Sequence, residues 1–392
     1  MRIVLIHQYF KTPQEGGGIR SYHIVKHLKE LGHDVQVITA YNKPKADVKI
    51  IDGIKISYLP VYYTNHLSFW SRVHAFIRFV WMSLKVIKKI QPVDLNYVIT
   101  TPLTTGIIAL YAKFRFRTPY VFEVGDLWPD APIQLKVLNN WLLKKLAYWL
   151  EKKSYKETEK IVALSPDIKD IILQKLNKKK VEVITNMADN EFFTAGKKDL
   201  RLQLKYGVED KFVITYAGTI GLANHLEYML AAAEACLDNA HIQFMVAGEG
   251  ARAQHMKNLV EEQNLVNVRF VPFAGKDEVR ELLNVSDAVY VSFQNVPVLA
   301  SGSPNKLFDG LAAGKLIIMN FEGWLKKIIE KNECGFYYNP EEPKQFYNEL
   351  KKFVEDDELL MRAQINSRKL AEQSFDKQDQ LKKLQQFLGF GD

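Results

Sequence analysis

The chain has 392 residues, of which 47% are hydrophobic and 25% charged, and carries a net charge of +8. This length predicts two domains, because single cores rarely grow beyond about 250–300 residues. Two cysteines, Cys236 and Cys334, exclude a disulfide framework and fit a reducing cytoplasm. The chain has no uncharged apolar run of about 20 residues to span a membrane. The positive charge allows an anionic partner: nucleic acid, anionic lipid or a phosphorylated substrate.

The first apolar run, Ile3 to Ile6, is a strand's length without a cleavage site, so no signal peptide is expected. The opening strand, Arg2 to His7, runs into a loop with Gly16, Gly17 and Gly18. A helix from Ile19 to Leu31 follows and stops at Gly32. Further strands are expected at Val35–Thr39, Ile54–Leu59, Leu95–Thr100, Tyr120–Glu123, Lys160–Ala163 and Val181–Ile184, most with helices between them. This alternation is that of a parallel, doubly wound sheet.

A polar, turn-rich stretch from Asn186 to Asp210 separates the halves, and the pattern then restarts. Phe212–Tyr216 is a strand before the turn Gly218-Thr219-Ile220-Gly221. Ile242–Ala247 is a strand before Gly248-Glu249-Gly250, and Val268–Val271 and Ala288–Phe293 are strands. The segment Val298 to Met319 is the most informative. A small polar loop, Ser301 to Asn305, leads into a helix that ends at Gly314 before the strand Leu316–Met319. Such a helix start binds phosphate through free N–H groups and the helix dipole. Lys306 adds a positive charge, and Asp309, one turn on, an acceptor for a sugar hydroxyl. A plain βαβ crossover with a surface lysine has the same pattern. The tail, Glu355 to Leu388, is helical and charged.

A dinucleotide-dependent dehydrogenase does not fit. The first turn reads GGGIR after a long loop rather than G-x-G-x-x-G, and the second strand ends at Thr39-Ala40 without an acidic residue for ribose.

Taken together, the segments GGGIRSYHIVKHLKELGHDVQVIT, FEVGDLWPD, YAGTIG, VAGEGAR, FVPF and SPNKLFDGLAAGK resemble the GT-B glycosyltransferases of family 4 over about residues 1–320. The DLWPD and SPNKLFDGLAAGK pair is most similar to the branch that builds bacterial O-antigen and capsule repeat units, such as N-acetylfucosamine transferases. The resemblance implies two Rossmann-like domains facing across a cleft. An acceptor-binding domain would span 1–188 and a nucleotide-sugar domain 189–370, with a C-terminal helix at 371–392 packing back on the first. It implies retention of configuration, no metal in the site and no cofactor.

The resemblance places Gly218, Thr219, Ser303, Pro304, Asn305 and Lys306 on the pyrophosphate, and Gly248, Glu249 and Arg252 near the nucleotide. Pro272 and Phe273 would read the base, Asp309 would hold ribose, and Gly17 and Gly18 would reach over the donor phosphates. Three departures stand out. Ser301 occupies the first glutamate position of the Glu-x7-Glu motif. The Arg and Lys that often follow the glycine turn are replaced by Ile220, Leu222, Asn224 and His225. Where many members have a histidine after the strand ending at Glu123, this chain has Asp126.

Without a metal, the departing diphosphate would be neutralised by Lys306 and helix N–H dipoles. Lys306 and Asp126 are therefore the catalytic candidates. Asp126 could equally cap the turn, with Trp128-Pro129 packing. No His/Cys cluster has zinc spacing, and no acid–base pair of carboxylates can be placed.

The expected function is transfer of a sugar from a nucleotide-sugar, UDP-linked, to a saccharide on a polyprenyl diphosphate. Two rivals are a nucleotide-sugar epimerase of the same fold and a non-enzymatic nucleotide- or nucleic-acid-binding module. The basic residues lie mostly on helices rather than interleaved with aromatics on a sheet, which disfavours nucleic acid. Leu67–Ile90 and Trp141–Lys153 mix aromatics with lysines and arginines in the manner of an interfacial helix. They predict a cytoplasmic protein docked on the anionic inner face of the plasma membrane, unless those aromatics face the domain core.

Overall fold

The computed structural model describes every residue except Gly16, Asn65, Phe273, Ala274 and Asp392. It divides into two compact units. Unit 1 comprises Met1–Pro13, Gly18–Thr185 and the residues from Leu381 on; unit 2 comprises Gln14–Gly17 and Asn186–Gln380.

Unit 1 is built on β1 (Arg2–Ile6), β2 (Asp34–Tyr41), β3 (Asp47–Ile51), β4 (Ile54–Pro60), β5 (Leu95–Ile99), β6 (Tyr120–Val124), β7 (Lys160–Ala163) and β8 (Val181–Val183). They form one sheet in the order β3-β4-β2-β1-β5-β6-β7-β8, parallel except for β3 against β4. Every residue of β5 and β6 is buried, as helices on both faces of a parallel sheet require. The helices Phe69–Lys89, Thr105–Phe116 and Trp141–Glu157 lead into β5, β6 and β7, and the middle one packs against both others. Ser68 and Asn140 fix two of their starts by accepting N–H bonds from the first turn. Phe79 and Val80, within the stretch Leu67–Ile90 expected to be interfacial, are buried in the core instead. No helix among the described residues is long and apolar enough to cross a membrane.

Unit 2 carries β9 (Phe212–Ala217), β10 (Ile242–Ala247), β11 (Val268–Val271), β12 (Ala288–Val291), β13 (Leu316–Met319) and β14 (Gly335–Tyr337), in the order β11-β10-β9-β12-β13-β14, all parallel. Apolar side chains of β9, β10, β12 and β13 and the surrounding helices fill its cores. Each such side chain contributes about 1.5–3 kcal/mol on full burial.

Both sheets reverse direction once, between β1 and β5 and between β9 and β12. At such a switch point the strand carboxyl ends open a crevice that hosts ligands. Two strands escape the sequence patterns. Strand β3 is an edge strand whose Val48 and Ile50 are 57% and 76% exposed. Strand β14 is three residues long. The tail forms two helices, Asp357–Ser374 and Lys377–Leu388, because Ala188 pairs with the backbone between them, bonding Phe375 and Lys377.

Candidate active site

At the switch point of unit 2, two glycine turns lie back to back. Gly218 N–H donates to Ala247 O (2.9 Å), and Ile220 N–H to Glu249 O (2.8 Å). A Cβ on Gly248 would stand 1.9 Å from Gly218 O, and one on Gly250 2.4 Å from Ile220 O. Only glycine allows this approach.

Lys306 reaches over the first turn from the start of the helix Asn305–Ala312. Its ammonium donates to the Tyr216 hydroxyl (2.9 Å) and lies 4.0 Å from the centre of that ring. The Tyr216 hydroxyl in turn donates to Thr219 O (2.6 Å). With its amide turned to satisfy both ends, Asn224 donates to Thr219 O (2.8 Å) and accepts from Lys306 (3.3 Å). Both partners are neutral, and among the described residues no carboxylate pairs with this ammonium. Desolvation pulls the Lys306 pKa down to about 7. A half-buried cation with only neutral partners is a seat for an anion, whose arrival would raise that pKa again.

The helix start completes the seat. Pro304 precedes Asn305, and no side chain caps this end, so its first N–H groups are open to a ligand. Asn186 fixes the approach by donating to Ser303 through its side chain and its backbone. Ser301 is buried and donates to Val298 O (2.7 Å). The position where the resemblance leads one to expect glutamate is thus a small hydroxyl tied into the backbone.

The other predicted residues have surroundings of their own. Asp309 shares the helix with Lys306 but not its surroundings. Burial raises its carboxyl to about 7, with Lys276 opposing and Asp189 adding to the shift. Asp189, although buried, is pulled down to about 2 by Lys276 (2.6 Å) and Lys377 (2.7 Å). Arg252 anchors the second turn by its backbone, donating to Ile220 O (3.1 Å), while its guanidinium pairs with Glu227. Thr219, Glu249, Pro272 and Asn305 are exposed, as are Gly17 and Gly18. Phe273 lies outside the described residues.

Unit 1 gathers a different set at the ends of β1, β5 and β6. Arg20 grips Glu123 with two bonds (3.0 and 3.1 Å) and donates to Thr185 O, and the Tyr97 hydroxyl also donates to Glu123. The Arg20 and Glu123 side chains are only 9% and 2% exposed. Burial pushes His7 down to about 4 against the pull of Glu123, so its ring is neutral beside the Ser21 hydroxyl (2.9 Å). Glu123, the residue at which the strand was expected to end, is therefore engaged in holding the sheet ends together.

Asp126, three residues on, is exposed and accepts from Thr101 (3.3 Å). Packed protein raises its carboxyl above the ordinary value, and the Thr101 bond counters this. Nearby, Trp128 meets Phe76 edge-on (6.2 Å), Phe76 stacks on Tyr63 (5.7 Å), and Tyr63 lies against Tyr9 (5.0 Å). A row of rings beside a carboxylate suits a sugar, with its apolar C–H face and its hydroxyls. Tyr9, Tyr63, Tyr216 and Arg20 were not singled out from sequence, and Asn224 was named only among the residues that replace the Arg and Lys after the glycine turn. The one available cue was the place of Tyr216, two residues before the glycine turn. Among the described residues no three His, Cys, Asp or Glu side chains gather as a metal site would require.

Residues 202–370 match the family model "Glycosyl transferases group 1", and residues 15–192 match "Glycosyltransferase Family 4". An alpha-D-kanosaminyltransferase of Streptomyces kanamyceticus is 20% identical over 230 residues, 57% of this chain and 58% of the relative. A putative colanic acid biosynthesis glycosyl transferase, WcaI, of Escherichia coli K12 is 27% identical over 116 residues, 30% of this chain and 28% of the relative. The chain thus aligns with less than two thirds of either relative's length. The Anabaena protein HepE, solved with UDP and glucose, shares the fold at a TM-score of 0.73 and 17% identity, with 100% of each chain covered.

Proposed function

The chain belongs to the GT-B glycosyltransferases of family 4 and group 1, and from that premise we propose that it transfers a sugar, with retention, from a UDP-linked donor to a saccharide carried on a polyprenyl diphosphate. The observation that carries this reading is the Lys306 ammonium, held by Tyr216 and Asn224 without a carboxylate beside an uncapped helix start. A diphosphate supplies the missing charge. UDP is favoured as the carrier by HepE, whose structure holds UDP and glucose. A role in bacterial surface polysaccharide is favoured by the likeness to WcaI. The DLWPD and SPNKLFDGLAAGK segments favour an N-acetylhexosamine donor of the N-acetylfucosamine type.

In this reaction the bond from the anomeric carbon to the diphosphate oxygen breaks. A bond from that carbon to the acceptor hydroxyl forms, and the hydroxyl proton passes to the departing phosphate. Lys306 and the N–H groups of Asn305 and Lys306 meet the negative charge that develops there, the usual largest contribution in such sites. Asp309 serves a hydroxyl of the nucleotide, and Asp126 a hydroxyl of a sugar laid on the aromatic row. No cofactor or metal enters this scheme.

The test is a thermal-shift screen of nucleotides and nucleotide-sugars, followed by transfer assays with lipid-linked acceptors. UDP and one UDP-sugar should raise Tm, and turnover should need the acceptor. Stabilisation by none of them would remove the reading, and interconversion of free UDP-sugar without acceptor would favour an epimerase. Asp126→Asn should lower kcat roughly 10- to 100-fold, the loss of a hydrogen bond to a charged group, while the UDP-induced shift stays unchanged. Near-normal turnover in this variant would make DLWPD a structural turn.

A further inference from the structure

The positive charge of this protein is concentrated on one face. The helices Phe69–Lys89, Thr105–Phe116 and Trp141–Glu157 carry twelve lysines and arginines against two carboxylates. Their excess of ten exceeds the +8 of the whole chain, so the rest of the protein is net acidic. Both carboxylates are already paired. Glu151 is buried against Lys175 (2.7 Å), and Glu157 is bonded by Lys113 and Lys153. The helix Phe69–Lys89 has no acidic residue at all.

The same helices expose the aromatics that a soluble protein hides. Four of the six tryptophans of the chain, Trp70, Trp81, Trp141 and Trp149, stand 57% to 72% exposed, with Ile77 and Phe114 at 61%. Scattered apolar residues need no explanation, but indoles on adjacent helices form a patch that does. The three helices make one surface, because the middle one packs on both others. Cations already lie over its rings: Lys85 over Trp81 (3.2 Å), Lys88 over Tyr111 (5.6 Å) and Lys153 over Phe114 (5.3 Å), the last two bridging neighbouring helices.

Indoles flanked by lysines sit well where an apolar interior meets anionic headgroups. We infer that this three-helix face of unit 1 is the surface by which the protein docks on an anionic lipid bilayer, with the tryptophans at headgroup depth and the lysines on phosphates. The choice of a bilayer over a protein partner rests on charge complementarity and on the lipid-linked-acceptor reading above. The helix Phe69–Lys89 adds a connection: Trp70, Ile77 and Trp81 face outward while Phe76 joins the aromatic row beside Asp126. The helix that would meet the headgroups thus also lines the place proposed for the sugar they carry.

The test is cosedimentation of the full chain with vesicles of phosphatidylcholine alone and of phosphatidylcholine with 30% phosphatidylglycerol, at low and high salt. Binding should need the anionic lipid and weaken with salt. Each cation near the surface is worth about fivefold in partition, so Lys144→Glu/Lys145→Glu should lose about 25-fold or more. Trp141→Ala/Trp149→Ala and Trp70→Ala/Trp81→Ala should each lose binding at both salts. All three variants should keep the wild-type Tm and UDP-induced shift, which separates failure of docking from failure of the transferase reading. Absence of binding to anionic vesicles at low salt would overturn the inference, as would equal binding to neutral vesicles. A wild-type dimer by sedimentation that Trp141→Ala/Trp149→Ala dissociates would overturn it in favour of a second copy of the chain.

Discussion

Lys306→Ala is expected to lower kcat by about two to three orders of magnitude, the loss seen when one preorganised donor to a developing anion is removed. The lysine is preorganised from three directions. Tyr216 and Asn224 hold the ammonium, the Tyr216 ring lies under it, and a Cβ on Gly218 would come within 3.1 Å of its Cε. Its neutral surroundings cost the protein something in the empty state, as the pKa near 7 records, and a bound diphosphate recovers that cost. Arginine should not substitute, because its wider planar head has no room over the glycine turn. The check is steady-state turnover with the UDP-sugar found by the screen. A fall confined to KM would mean that Lys306 binds donor and transition state alike.

Arg20→Ala should be the most damaging change to stability. It leaves Glu123, 2% exposed at its side chain, without its guanidinium. Breaking a buried ion pair from one side costs about 3–5 kcal/mol, whereas replacing both partners can be nearly neutral. At about 2–4 °C per kcal/mol for a unit of this size, the transition of unit 1 should fall by roughly 10 °C. Arg20→Met/Glu123→Met should recover part of that loss. Differential scanning calorimetry decides it, and a single variant that melts like the wild type would show that the pair adds no specific stability.

The sequence revealed what depends on the order of residues along the chain. The glycine turns after β9 and β10 and the helix start at Asn305 each follow a strand at a short interval, so Gly218, Gly248 and Lys306 could be read directly. Pairs that meet only through folding could not. Tyr216 and Lys306 lie 90 residues apart, and Arg20 and Glu123 lie 103 apart. Nothing in the order of residues around Glu123 points to the arginine that holds it. Arg252 was placed near the nucleotide by resemblance, and its backbone does brace the turn, but Glu227 takes its charge. Strand β3 left no pattern because an exposed edge strand has no buried face to impose an alternation.

The central claim is that the Lys306 seat binds the diphosphate of a uridine nucleotide. Calorimetric titration of UDP into the full chain at pH 8.5, in buffers of different ionisation enthalpy, tests it most directly. In the free protein Lys306 titrates near 7 and is mostly neutral at that pH. A bound diphosphate raises its pKa, so binding must take up a proton, and affinity must fall as pH rises above 7. The account predicts saturable binding by the wild type with an uptake approaching one proton, and weaker binding without that uptake by Lys306→Ala. No UDP binding by the wild type, or equal affinity and equal proton uptake in the variant, would contradict it.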